Sequence, residues 1–332
     1  MRAWLLPSLT GIQSMTLGEA PAPTPGAGQV VLNVQFASLN PADNYLAQGQ
    51  YPGKPTFPHI LGRDGVGTVA AIGPNVTGIK IGDTRVILRG DTGVTKPGTL
   101  AEQVAVDAAY TTTVPPGWTH EQAAAAPLVY VTAWQALTQW SDLPANPIIL
   151  VTGASGGVGV ATVQLAHAMG YKVAALSRSK EKADQLKQLG ATWTLDPTDA
   201  NWPGQLKNLL DKDLAPGRRI DLAIDNIAGD TFPRIIDVMA LHGRISCVGR
   251  LAGPVPNFNT GTLFFRRLRI GGVAIGTYTN QETHAAWSSV LQTLTKTNAK
   301  PLIDHIFPFD EVPQAFARLA HGPMGKVLVR VS

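Results

Sequence analysis

The chain has 332 residues, too many for one ordinary core and suited to two domains of roughly 100–200 residues each. Apolar residues make up 44% and charged residues 15%, which excludes a disordered chain. The net charge is +4, but the basic residues are scattered, with no dense Lys/Arg run or interleaved aromatic stripe, so a nucleic-acid partner is not expected.

Cys247 is the single cysteine, so the chain can close no intrachain disulfide and build no cysteine-rich zinc site. Met1–Pro7 contains no apolar stretch of signal-peptide length. The most apolar region, Ile148–Met169, is broken by Gly153, Gly156, Gly157 and Gly159 and carries Ser155, Gln164 and His167. It reads as strand, turn and helix, not as a bilayer span, and a cytoplasmic protein is expected.

Up to about Pro116 the chain consists of β-branched runs punctuated by Gly, Pro, Asn and Asp. Short strands are predicted over Val30–Ala37, Val66–Ile72, Arg85–Leu88 and Leu100–Val106, bounded by turn signals such as Gly26-Ala27-Gly28 and Gly82-Asp83. This pattern predicts a small β-barrel or sandwich without a helical layer. Gly62-Arg63-Asp64-Gly65-Val66-Gly67 lies in this part and is glycine-rich, but it opens onto strand-like Thr68–Ile72. It therefore predicts a strand with glycines for close packing.

The texture changes after Pro115-Pro116-Gly117. His120–Ala126 and Val131–Trp140 are helical in composition, and a regular alternation follows. Strands are predicted over Ile148–Thr152, Val173–Leu176, Thr192–Leu195, Ile220–Ile224 and Arg244–Val248. Helices are predicted between them over Val158–Met169, Lys180–Leu189, Trp202–Leu210 and Phe232–Ala240, with Gly170 and Gly190 as C-terminal caps. Such alternation predicts a doubly wound parallel sheet with helices on both faces. Beyond Arg269 come a strand (Ile270–Ile275), helices (Thr283–Leu294 and Pro313–Ala320) and a last strand (Lys326–Val331). The expected class is α/β, with a β-rich domain over 1–118, a dinucleotide-binding domain over 119–270, and a tail over 271–332 that returns to the first domain.

The strongest chemical signal is the apolar strand Ile148–Val151 running into Thr152-Gly153-Ala154-Ser155-Gly156-Gly157-Val158-Gly159 and then a helix. Glycines permit a tight turn and a close backbone approach to a pyrophosphate, whose charge is met by the helix N-terminus. The spacing is G-x-x-G-x-x-G, and a glycine cluster alone is often a plain turn; the βα units that follow decide for a nucleotide site. An NAD site usually places a carboxylate at the end of the second strand. Here that strand ends Leu176-Ser177-Arg178-Ser179-Lys180, and the first carboxylate, Glu181, lies inside the next helix. Ser177, Arg178 and Lys180 or Lys182 instead suit a 2′-phosphate, so NADPH is the expected cofactor. A solvated basic helix start is the alternative, although cations are unfavourable there without an anion nearby.

These residues resemble the medium-chain dehydrogenase/reductase superfamily, in its zinc-free, quinone oxidoreductase-like (zeta-crystallin-type) branch. The resemblance is carried by Ser38-Leu39-Asn40-Pro41-Ala42-Asp43, Gly62–Val69, Gly73, Gly82-Asp83, Thr132–Leu137, Gly153–Gly159, Asp225, Val248-Gly249 and Gly325-Lys326-Val327. It implies a GroES-like β-barrel catalytic domain, a Rossmann domain, and a homodimer paired through Rossmann edge strands. Zinc-dependent members have Cys at the position of Asn40 and Gly-His-Glu at Gly62-Arg63-Asp64. Catalytic zinc is therefore not expected, and the resemblance implies NADPH-dependent reduction of a small quinone or α,β-unsaturated carbonyl.

Carried over position by position, the resemblance places Asn40 facing the nicotinamide and Thr132 beneath the cofactor. Ser155, Gly156, Gly157 and Val158 fall at the phosphate turn. Asn226, Val248, Phe264 and Phe265 fall where the family lines the adenine ribose and nicotinamide. Arg266 and Arg267 read equally well as a structural pair near a dimer edge. Tyr45 is the candidate for orienting a carbonyl or supplying a proton, while a packed aromatic with a wet hydroxyl reads the same sequence as well. Some quinone reductases have Tyr where this chain has Pro197. The loops 49–57 and 257–262 would shape the substrate site. An alcohol or sugar dehydrogenase of the same superfamily and a non-catalytic NADPH-binding protein are the competing readings.

Overall fold

The computed structural model describes residues 1–88, 90–255 and 258–332; Asn257, which opens one of the two loops named above, lies outside them. In chain order the first part carries β1 (Arg2–Leu5), β2 (Thr16–Glu19), β3 (Gln29–Ser38), α1 (Pro41–Ala47), β4 (Asp64–Ile72), β5 (Thr84–Ile87), β6 (Gln103–Asp107) and β7 (Thr111–Thr112). Then follow α2 (His120–Ala125), α3 (Pro127–Thr138), β8 (Ile148–Val151), α4 (Gly157–Ala168), β9 (Lys172–Leu176), α5 (Lys180–Gln188) and β10 (Trp193–Leu195). The chain continues through α6 (Trp202–Asp213), β11 (Ile220–Asp225), α7 (Thr231–Val238), β12 (Met239–Cys247), α8 (Gly261–Arg266) and β13 (Arg269–Gly272). It ends in α9 (Asn280–Thr295), β14 (Ile303–Pro308), α10 (Val312–Ala320) and β15 (Lys326–Arg330).

These elements gather into two compact units. One comprises Met1–Leu128, Gly276–Trp287 and Lys300–Ser332. Its seven-stranded sheet runs β14-β15-β3-β4-β5-β7, with β6 also on β3. The ten-residue strand β3 organises it. Strand β4 pairs along its length, β6 along Gln29–Asn33 and β15 along Phe36–Ser38. Close pairing there needs glycine, since a Cβ at Gly67 would meet Asn33 O at 2.4 Å and one at Gly65 would meet Phe36 O at 2.8 Å. The core beneath contains Leu6, Leu39, Leu61, Leu100, Phe316 and Val327.

The expectation of no helical layer in this part is corrected by α1. Pro41 at the helix start supplies a preset φ, and the Asp43 carboxylate accepts the Asn40 backbone N–H at 2.8 Å. Seven residues are too few to display an apolar period, so only these end signals mark the helix. Strands β1, β2 and β14 were likewise not expected. They show no clean alternation of buried and exposed positions, and are held by pairing with distant chain.

The other unit comprises Val129–Ile275 and Ser288–Ala299. Its six strands are all parallel, in the order β10-β9-β8-β11-β12-β13. This is the doubly wound order 3-2-1-4-5-6, in which ligands bind at the carboxyl ends of the strands where the order reverses, here between β8 and β11. Strand β8 is buried at all four positions, and Leu150, Leu176, Trp202, Leu206 and Ile245 belong to one core. Strand β12 starts five residues before the expected Arg244, at Met239, with a register shift opposite Ile220–Leu222. No helix among the described residues is long and apolar enough to cross a membrane.

Candidate nucleotide site and buried polar centre

The turn from β8 into α4 is built by its glycines in two ways. Gly153 adopts φ +56°, and a Cβ at Gly159 would meet Gly153 O at 2.3 Å, so both serve the turn itself. At Gly156 the nearest atom to an added Cβ is Gly153 O at 3.5 Å, so the space above it is open. Gly156 is the N-cap of α4 and no side chain caps the helix. The N–H groups of Gly157, Val158 and Gly159 therefore have no partner within the helix and carry its positive dipole end.

Neighbouring strand ends contribute the rest. Thr152 Oγ1 donates to Asp225 Oδ1 at 2.8 Å, and the Asn226 side chain donates to Thr152 O at 2.8 Å. Asn226 Oδ1 is buried with no hydrogen-bond partner among the described residues, an open acceptor beside the glycine turn. Val248 N donates to Asp225 O at 2.8 Å, which places Val248 in the same row. Ser177 is buried at the end of β9, Arg178 is exposed, and Lys182 lies in the first turn of α5, capped by Ser179. Arg178 helps to hold the Asp196 carboxyl below the usual carboxylate range, after the hydrogen bonds from Thr198.

Thr132 lies on α3, which Ser246 of β12 anchors by donating to Ala136 O at 2.8 Å. Phe264 and Phe265 sit on α8 with ring centroids 4.4 Å apart and remain 66% and 78% exposed. Cys247 is no ready nucleophile, because burial and then the Asp225 charge push its thiol up to about 11. The open cradle over Gly156, the uncapped helix and the orphan acceptor on Asn226 fit a dinucleotide.

In the β-rich unit a second cluster forms at the end of β3. Asn40, Asp43, Asp64 and Lys326 are all buried. Lys326 Nζ donates to Asn40 Oδ1 at 2.6 Å and to Leu39 O at 2.8 Å, and stands 3.6 Å from Asp64 Oδ2. The Asn40 amide donates to Asp64 Oδ2 at 2.9 Å and to Ser38 O at 3.3 Å, and Asp64 Oδ1 accepts Leu128 N. Burial pushes the Asp64 carboxyl up and the Lys326 ammonium down, each opposed chiefly by the other's charge. Asp43 is pushed up to about 6 by burial, against the pull of Arg63. Arg63 Nη1 donates to the Tyr51 hydroxyl at 3.0 Å, and its guanidinium lies over that ring. Tyr45 is half-buried on α1.

Sequence reasoning named Asn40 but gave no role to Asp43, Asp64 or Lys326. The available signal was a lysine opening a strand whose next three residues, Val327-Leu328-Val329, are apolar, and buried lysines are rare unless paired.

A β-rich unit with a buried polar centre and a doubly wound unit with a glycine turn together define a nucleotide-dependent oxidoreductase. Residues 26–116 match the alcohol dehydrogenase GroES-like domain family and residues 157–296 the zinc-binding dehydrogenase family. The quinone oxidoreductase of Mus musculus is 30% identical over 303 residues, covering 90% of this chain and 88% of its own. A solved NAD-dependent alcohol dehydrogenase superposes with a TM-score of 0.90 at 28% identity, with both chains covered in full. A mycobacterial protein solved in complex with NADPH gives 0.88 at 25% identity, again over both full chains. The chain belongs to the medium-chain dehydrogenase/reductase family, in its quinone oxidoreductase-like group.

Zinc-binding members of this family raise the question of a metal. The side chains at the corresponding place do not form a zinc ligand set: Asn40 is an amide engaged at both ends, Arg63 is a cation, and Asp64 faces an ammonium. Among the described residues no three His, Cys, Asp or Glu side chains are grouped to hold a metal.

Proposed function

We propose that this chain is a zinc-independent reductase that uses NADPH to reduce a quinone or an α,β-unsaturated carbonyl. The observation that carries the reading is the Lys326 ammonium 2.6 Å from Asn40 Oδ1, in a cluster whose donors do not suit zinc. Oxidation of an alcohol calls for a Lewis acid to hold the alkoxide. Hydride addition to a quinone or electron-poor alkene needs less, because the negative charge delocalises over the acceptor and a proton follows. The likeness to a quinone oxidoreductase supports the acceptor class, and the NADPH-bound neighbour supports the cofactor.

Bound NADPH supplies the hydride. Ser155, Gly156, Gly157 and Val158 receive the pyrophosphate at the α4 N-terminus, and Asn226 offers its free acceptor to a ribose hydroxyl. Ser177, Arg178 and Lys182 take the 2′-phosphate, since no carboxylate ends β9. Thr132, Val248, Phe264 and Phe265 line the cofactor, Asn40 faces the nicotinamide, and Tyr45 orients the acceptor carbonyl or supplies its proton. We place the protein in the cytoplasm as a homodimer joined through β13, an edge strand on which Ile270 is 41% exposed.

Steady-state NADPH oxidation with a panel of quinones and enals, and NADP⁺ reduction with alcohols and sugars, tests the reading. Quinone or enal turnover that persists in chelator is expected. Alcohol turnover abolished by chelator would favour a zinc dehydrogenase, and tight NADPH binding without any turnover a binding protein.

A further inference from the structure

We propose that Lys326 is a positioning residue: its ammonium locks the Asn40 side-chain amide in one orientation, with Oδ1 toward the lysine and Nδ2 toward Asp64. The proposal rests on the reading that places Asn40 at the nicotinamide. The orientation follows from the partners. An ammonium can only donate and an ionised carboxylate only accept, so Oδ1 must face Lys326 and Nδ2 must face Asp64. The reversed amide would set N–H against ammonium and carbonyl against carboxylate.

Three of the four hydrogen-bonding positions on the amide are used, by Lys326, Asp64 and Ser38 O. The cluster is closed to water, with Asn40, Asp64 and Lys326 exposed by 3%, 1% and 4%. Strand register puts the lysine there. Leu328 lies opposite Ser38, and the same antiparallel pairing continued by two residues brings Lys326 beside Asn40. A lysine serving only to neutralise Asp64 would make its shortest contact to that carboxylate. Its Nζ is instead 2.6 Å from the amide oxygen and 3.6 Å from Asp64 Oδ2.

The test uses the full chain with Lys326→Met and with Lys326→Met/Asp64→Asn. The double variant removes the cation together with the carboxylate nearest it, and the buried Asp43 keeps Arg63 as its counter-charge. Three quantities are read: hydrogen exchange of the Asn40 side-chain amide by NMR, NADPH affinity, and kcat and KM for a quinone. In the wild type the Asn40 amide protons should exchange slowly; fast exchange there overturns the proposal without any variant. The double variant should melt cooperatively, with kcat down about tenfold or more, KM little changed, and the Asn40 protons deprotected. Wild-type kcat and protection in that variant would reduce Lys326 to a neutraliser of Asp64 and sink the positioning role. If the wild type reduces no acceptor, the proposed function fails on its own, and amide exchange still decides the role of Lys326.

Discussion

Arg178 is exposed at the end of β9, where an NAD-binding sheet would carry a carboxylate, so its contribution can be isolated. A charge-assisted hydrogen bond to phosphate contributes roughly 1.5–3 kcal/mol, less where salt screens it, so NADPH should bind about tenfold or more tighter than NADH. Arg178→Ala should weaken NADPH binding and leave NADH binding nearly unchanged, and the preference should shrink as salt rises. Titrations of both cofactors at two ionic strengths would show this; equal wild-type affinities would make the basic helix start a solvated surface. Asp43 makes a prediction about pH. Burial pushes its carboxyl up to about 6 from 3.8, so the folded chain binds more protons than the unfolded chain between those values. Its contribution therefore destabilises as pH rises through that window and levels off above it. Asp64 is pushed the same way. Asp43→Asn retains an acceptor for the Asn40 N–H and should lessen the fall by on the order of 1–3 kcal/mol. Urea unfolding at both ends of the window would measure it, and an unchanged pH slope would mean that folding does not raise the Asp43 carboxyl above its unfolded value.

Among the elements, the β8–α4 turn separates glycines that fold the chain from one that leaves room for a ligand. Gly156→Val would extend a branched side chain into open space, so the protein should fold while nucleotide affinity drops by about a hundredfold. Calorimetric titration of a variant with a wild-type melting profile would check it, and unchanged affinity would move the phosphate site elsewhere. Gly159→Val should fail differently, by unfolding the turn, because its Cβ would meet Gly153 O at 2.3 Å. Among the described residues β13 pairs with β12 alone and stands at one end of its sheet, which makes it the edge that the proposed dimer would use. A charge at the edge opposes such pairing, so Ile270→Lys should shift the mass found by light scattering from dimer toward monomer while nucleotide binding persists. A wild-type monomer at micromolar concentration would remove β13 as an interface.

For the molecule as a whole, purified protein should contain no stoichiometric zinc and keep its activity in chelator; one tightly bound zinc per chain by elemental analysis would overturn that. The parallel sheet was legible because its information is local. Each apolar run, glycine cap and helical period from Ile148 to Cys247 lies within a few residues of its neighbours, and the Ser177-Arg178 strand end was readable for the same reason. Strand β14 and the strands β1 and β2 were not legible, since pairing rather than alternation holds them. Helix α1 escaped because a seven-residue helix is marked only by its ends. The polar centre lay furthest from view. Asn40 is 24 residues from Asp64 and 286 from Lys326, and what joins them is the pairing of β3 with β4 and of β15 with β3. Local propensity and hydrophobic period, which the chain carries by itself, determined the strands, helices and glycine turn of the nucleotide unit. Only the tertiary register could enclose a lysine with two carboxylates and an amide, because burying those charges is tolerable solely where each meets its partner.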